Sequence, residues 1–113
     1  MSTASRALPL SHVTLTGRMG NHVDARELPS GDVVTTFTIV VDRPARHRRD
    51  GGAAIDAIPC QTFQASLARR ISGIPAGEWV TVKGSLRRRF WRGASGLSSA
   101  LEVEVATVTR VRP

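Results

Sequence analysis

The sequence predicts an all-β fold, a five-stranded barrel with one short helix between strands 3 and 4. Three observations carry this. Five segments alternate polar with apolar residues or are dense in β-branched side chains, the marks of strands. Only one stretch has convincing helical spacing. That stretch falls after the third strand segment and before the fourth.

Taken in order, Met1 to Pro9 is small and polar, and residues 1–10 read as a flexible arm ahead of a single domain over 11–113. His12-Val13-Thr14-Leu15-Thr16-Gly17-Arg18-Met19 has the period of a half-buried strand, and Gly17 permits close backbone approach or a bend. Arg26 to Asp32 contains Pro29, Ser30 and Gly31, the residues of a hairpin turn. Val33 to Val41 is β-branched almost throughout and makes the second strand. Asp42 to Asp56 is rich in Arg and Gly and reads as a long mobile loop. Ile58 to Phe63 supplies a short third strand.

Gln64 to Ile71 is the helix, with Leu67 and Ile71 on one face and Gly73 and Pro75 ending it. Arg69 and Arg70 fall on its solvent side. Trp79 to Trp91 is the fourth strand. Its Val80, Val82, Gly84 and Leu86 form a core face, and Thr81, Lys83, Ser85, Arg87, Arg89 and Trp91 a cationic one. Gly93 to Ser99 reads as a Gly/Ser loop. In the last strand Leu101, Val103 and Val105 alternate with Glu102, Glu104 and Ala106, which places both glutamates on a polar outer face. This element order is that of the OB-fold barrel.

Composition narrows the function. Sixteen basic side chains exceed nine acidic ones by seven, and Lys83 is the one lysine among fifteen arginines. Arginine joins a permanent charge to a planar fork for phosphate and a face for stacking, so the excess suits nucleic acid. A basic but inert surface, or an acidic protein partner, is the alternative reading. The single cysteine, Cys60, excludes an intrachain disulfide and a cysteine-based zinc cluster, and a lone thiol in an apolar strand is a small core residue. His12, His22 and His47 lack metal-ligand spacing, and no phosphate loop of the Gly-rich, Lys-Ser/Thr kind occurs. No enzymatic activity, metal or cofactor is expected. No apolar run has the length of a membrane span and no secretory leader is evident, so a cytoplasmic, nucleoid-associated protein is expected.

The candidate interface gathers Arg87, Arg88, Arg89 and Arg92 around Phe90-Trp91, which offers charge for a nucleic-acid backbone and a π-face for bases. Arg43, Arg46, Arg48 and Arg49 in the long loop could fold over a bound strand, and Arg18 and Lys83 extend the basic set. The duller readings are a solvated strand edge guarded by arginine and a disordered basic loop. Trp79, at the opposite end of the fourth strand from Trp91, reads as a packing or interface residue.

The residues also carry a family resemblance. Val13-Thr14-Leu15-Thr16-Gly17-Arg18-Met19-Gly20, Leu28-Pro29-Ser30-Gly31, Thr36-Phe37-Thr38-Ile39, Leu67-Ala68, and Gly84-Ser85-Leu86-Arg87 with Trp91 are, in order and spacing, similar to the bacterial single-stranded-DNA-binding protein family, over nearly all of Ser11 to Val111. The resemblance implies an OB-fold that binds single-stranded DNA in replication, recombination or repair, as a homotetramer arranged as two dimers, with bases stacked on aromatic side chains. It also exposes departures. Where that family carries tryptophans after the second strand and on the third, and a phenylalanine before the helix, this sequence has Ala45, Ile58 and Gln64. The family's acidic tail tip has no counterpart in Arg110-Val111-Arg112-Pro113, so recruitment of replication proteins through such a tip is not expected. A primosomal-type OB module working through protein contacts, and an RNA-binding β-domain, are the competing functional classes.

Overall fold

The computed structural model describes residues 10–112; apart from Leu10, the expected N-terminal arm lies outside them. Five strands, β1 (Val13–Glu27), β2 (Val33–Asp42), β3 (Ile55–Thr62), β4 (Trp79–Gly93) and β5 (Gly96–Arg110), close into a barrel in the order β1-β2-β3-β5-β4. The helix α1 (Ala65–Ser72) stands between β3 and β4, as the spacing of Leu67 and Ile71 predicts. Both of those residues are buried and join the barrel's core. Among the described residues no helix is long and apolar enough to cross a membrane.

The core is filled by the inward set of each strand: Met19, Phe37, Ile39, Cys60, Val80, Val82, Val103, Val105 and Val108. Each fully buried aliphatic side chain contributes about 1.5–3 kcal/mol of transfer free energy. Cys60 is 1% exposed, and burial pushes its thiol up to about 12, so it is a core residue and not a nucleophile at neutral pH.

Two glycines allow the barrel to close. A Cβ on Gly17 would sit 2.2 Å from the Val40 carbonyl oxygen, and one on Gly84 only 2.0 Å from that of Glu104. No other residue fits at either crossing.

Four segments differ from the sequence reading. β1 runs on to Glu27, because a bulge between Met19 and Val23 carries the strand from its pairing with β4 to its pairing with β2. β3 starts at Ile55, three residues earlier than expected. β5 starts at Gly96, so the expected Gly93 to Ser99 loop is a tight turn at Ala94-Ser95, with Gly96 at φ +115°, inside one long β4–β5 hairpin. The β2–β3 loop is tied down by a 3-10 turn at Ala45–His47 and by the Arg43 amide donating to the Ala54 carbonyl at 2.9 Å.

The hairpin outruns the barrel. Leu86 and Leu101, expected on the core face, point that way but lie past its end and are about half exposed. A register shift on β5 beside Gly84 leaves Ala106 unpaired and turns Val105 and Val108, three residues apart, both toward the core.

Candidate nucleic-acid interface

Strand alternation decides which predicted residues meet. On β4 the side chains of Lys83, Arg87, Arg89 and Trp91 share the outer face, while Phe90 and Arg92 lie on the opposite one. The expected single cluster of arginines around Phe90-Trp91 is therefore divided in two, since adjacent strand residues cannot face the same way.

The outer face is internally paired. Antiparallel register sets Ser85 against Glu104 and Arg87 against Glu102. Each arginine reaches the carboxylate diagonally toward the barrel: Arg87 Nε donates to Glu104 at 3.2 Å, and Arg89 Nε to Glu102 at 2.5 Å. Glu102 is 6% exposed, which corrects its assignment to a solvated outer face. The Arg89 guanidinium bonded to it offsets the cost of burying its charge. On its other side that guanidinium lies 4.6 Å from the centre of the Trp91 ring. Trp91 remains 40% exposed.

Next to this face runs a groove of about 610 Å³ over the outer surface of β1, β2 and β3, lined by His22, Arg26, Thr36, Thr38 and Gln61 and walled by Arg89 and Glu102. Strands 2 and 3 with the β4–β5 hairpin form the surface on which OB-folds take oligonucleotides. Of the lining residues, only Arg89 belongs to the interface expected from the sequence. Arg26, Thr36, Thr38 and Gln61 are polar residues on strands, a pattern shared with any solvated sheet face.

The remaining predicted residues are dispersed. Arg18 donates to Asp42 at 2.7 Å and lies 5.7 Å from the Trp79 ring centre, at the end of β4 far from Trp91, where Trp79 is partly buried. Arg43 forks onto Asp56 with contacts of 2.7–3.1 Å. That hydrogen-bonded fork holds the Asp56 carboxyl below its usual range and raises Arg43. Arg48 Nε donates to the Arg43 carbonyl at 2.8 Å. Arg46, Arg49, Lys83 and Arg92 are exposed and make no ion pair among the described residues.

The three positions lacking the expected aromatics have separate fates. Ala45 opens the 3-10 turn, Ile58 packs against the core, and Gln64 caps α1. Phe63, directly beside Gln64, is 46% exposed and is an aromatic outside the set expected from the sequence.

Comparison with known proteins decides the family. The profile described as the Single-strand binding protein family matches residues 10–111, nearly the whole chain. The chain belongs to that family. Among the relatives, the single-stranded DNA-binding protein of Thermotoga maritima is 32% identical over 99 residues, covering 87% of this chain and 70% of its own length. Single-stranded DNA-binding protein A of Bacillus subtilis is 28% identical over 105 residues, covering 92% of this chain and 60% of its own. Several other relatives are matched over only about half their length. Among solved structures, the Plasmodium falciparum SSB complex with ssDNA superimposes with a TM-score of 0.75 over 91% of this chain and 96% of that one, at 24% identity. That likeness establishes the OB-fold of the family.

Proposed function

We propose that this chain binds single-stranded DNA with little sequence preference and coats it during replication, recombination or repair. The observation that carries the reading is the single outer face of β4, on which Lys83, Arg87, Arg89 and Trp91 stand beside the groove over β2 and β3. On that face Lys83 is free to attract the sugar-phosphate backbone, as are the exposed Arg46 and Arg49 of the β2–β3 loop, while Arg87 and Arg89 are matched to Glu104 and Glu102, and the Trp91 indole offers a flat apolar surface to a base. Unpaired bases are splayed and can stack; a duplex hides them. The relatives' names, which state single-stranded DNA binding, support the same reading. The protein acts by binding alone, in the cytoplasm on exposed DNA.

We further infer a homotetramer built as two dimers. Leu86, Phe90, Leu97 and Leu101 lie on the inward face of the hairpin beyond the barrel, between 43% and 65% exposed and interleaved with Arg88 and Arg92, and apolar side chains exposed together in this way are suited to association. Light scattering at micromolar concentration should give about four times the 12.2 kDa chain mass, and a monomer would refute the assembly.

The binding test is an oligothymidine titration of the parent and of Trp91→Ala at several salt concentrations. Loss of the stacking surface should weaken binding by about 1–3 kcal/mol with the salt slope unchanged. Normal binding by the variant would place the interface elsewhere.

A further inference from the structure

Along the outer face of the β4–β5 hairpin, a carboxylate, a guanidinium and an indole follow one another: Glu102, Arg89, Trp91. The glutamate is the buried member, with a side chain 7% exposed, whereas Arg89 is 48% exposed. A nearly buried carboxylate is costly unless fully engaged, so it fixes the position of whatever cation satisfies it. The Nε–H of Arg89 meets it at 2.5 Å. Held there, the guanidinium cannot swing away from the ring that lies 4.6 Å from it.

We propose that Glu102 is a positioning residue for base stacking: by pinning Arg89 against one face of Trp91, it fixes the indole as a one-sided platform and withdraws Arg89 from the cations that bind phosphate. The proposal rests on the single-stranded DNA reading given above. One face of the indole is occupied by Arg89 before any DNA arrives, so a base stacks on the other. The ring's orientation is set in advance, which lowers the side-chain entropy lost on binding. Arg89 already faces a carboxylate, so neutralisation by phosphate releases little counterion from it. Arg87 does not share this role, because its partner Glu104 is 40% exposed and its guanidinium is not placed over an aromatic ring.

The test uses Trp79→Phe protein, in which Trp91 is the only tryptophan of the two in the chain. Into it are placed Glu102→Gln, which keeps an acceptor for Arg89 but removes the charge, and Glu102→Ala, which removes both; thermal melts establish that each is folded. Time-resolved tryptophan anisotropy of the DNA-free proteins reads the freedom of the ring. Oligothymidine titrations across salt read the slope. Glu102→Ala should give the indole a fast local rotation absent from its parent, and Glu102→Gln should leave the ring held. Glu102→Gln should also steepen the salt slope by roughly 0.7, so that about fivefold more affinity is lost per tenfold rise in salt. Unchanged ring motion in Glu102→Ala, or an unchanged slope in Glu102→Gln, overturns the proposal. A Trp79→Phe parent that fails to bind oligothymidine overturns the functional reading instead, and the anisotropy arm, which needs no DNA, still decides whether Glu102 positions the ring.

Discussion

Replacing Arg46 and Arg49 together with alanine separates cations that are free for phosphate from those already matched to a carboxylate. Of the basic residues assigned to the interface, Arg18, Arg43, Arg87 and Arg89 each sit within 3.2 Å of an acidic oxygen, while Arg46, Arg48, Arg49, Lys83 and Arg92 do not. Each phosphate neutralised on a single strand contributes roughly −0.7 to the slope of log affinity against log salt. The five free cations of this set contribute about −3.5 per protomer, whereas counting the paired four as well would give about −6.3, and Arg26, which lines the groove without an ion pair, adds about −0.7 to either figure. The double substitution should therefore flatten the slope by about 1.4, which means that over an approximately fourfold rise in salt the parent loses about sevenfold more affinity than the variant. Arg87→Ala should flatten it by well under 0.7, since Glu104 at 3.2 Å already offsets that charge. Both loop positions are exposed, so stability should change by no more than about 0.5 kcal/mol. Fluorescence titrations with a short oligothymidine at four or more salt concentrations supply the slopes. A loop variant with the parent's slope, or an Arg87 variant that flattens as much as the loop pair does, would refute the division into free and matched arginines.

Two further outcomes follow from the ion pairs. Arg89→Ala leaves the buried Glu102 carboxylate without its partner and should cost about 1.5–3 kcal/mol in urea unfolding, against about 1 kcal/mol or less for Arg87→Ala beside the half-exposed Glu104; equal costs would contradict the difference in burial. The Asp56 carboxyl is held below its ordinary value of 3.8 by the hydrogen-bonded fork of Arg43, so the fork's contribution is fully present above that value and is lost as pH falls through the lower, folded one. The hydrogen-exchange protection factor of the Arg43 amide, which donates to Ala54, should accordingly fall with acidification in the parent, and an equal fall in Asp56→Asn would show that the fork does not hold the loop.

Much of the barrel was legible because its signals are local. Val33 to Val41 is β-branched, Leu67 and Ile71 have helical spacing, and Gly17 marks a crossing where a Cβ would meet a carbonyl. The extension of β1 was not legible. Gly20-Asn21-His22 has no alternation, and it continues the strand only through a bulge set by pairing with β2. Gly93 to Ser99 has the composition of a loop, yet hairpin pairing across the Ala94-Ser95 turn with Phe90, Trp91 and Arg92 draws Leu97, Ser98 and Ser99 into β5. At the site, Trp91 and its neighbouring arginines stood out by type. What they do was hidden, because the burial of Glu102 and its diagonal bond to Arg89 depend on the β4–β5 register, which period-two reading does not supply. The same reading placed Phe90 with Trp91 by adjacency, although a strand turns neighbours to opposite faces.

The central claim is that the outer face of β4 and its groove take single-stranded DNA. Filter binding of the purified protein to a single-stranded DNA, the same sequence as duplex, and the matching RNA, all at one fixed salt concentration, tests it most directly. The account predicts that the single-stranded DNA is retained at markedly lower protein concentration than either competitor, with little difference between DNA sequences. Duplex or RNA binding as tight as or tighter than single-stranded DNA would contradict it.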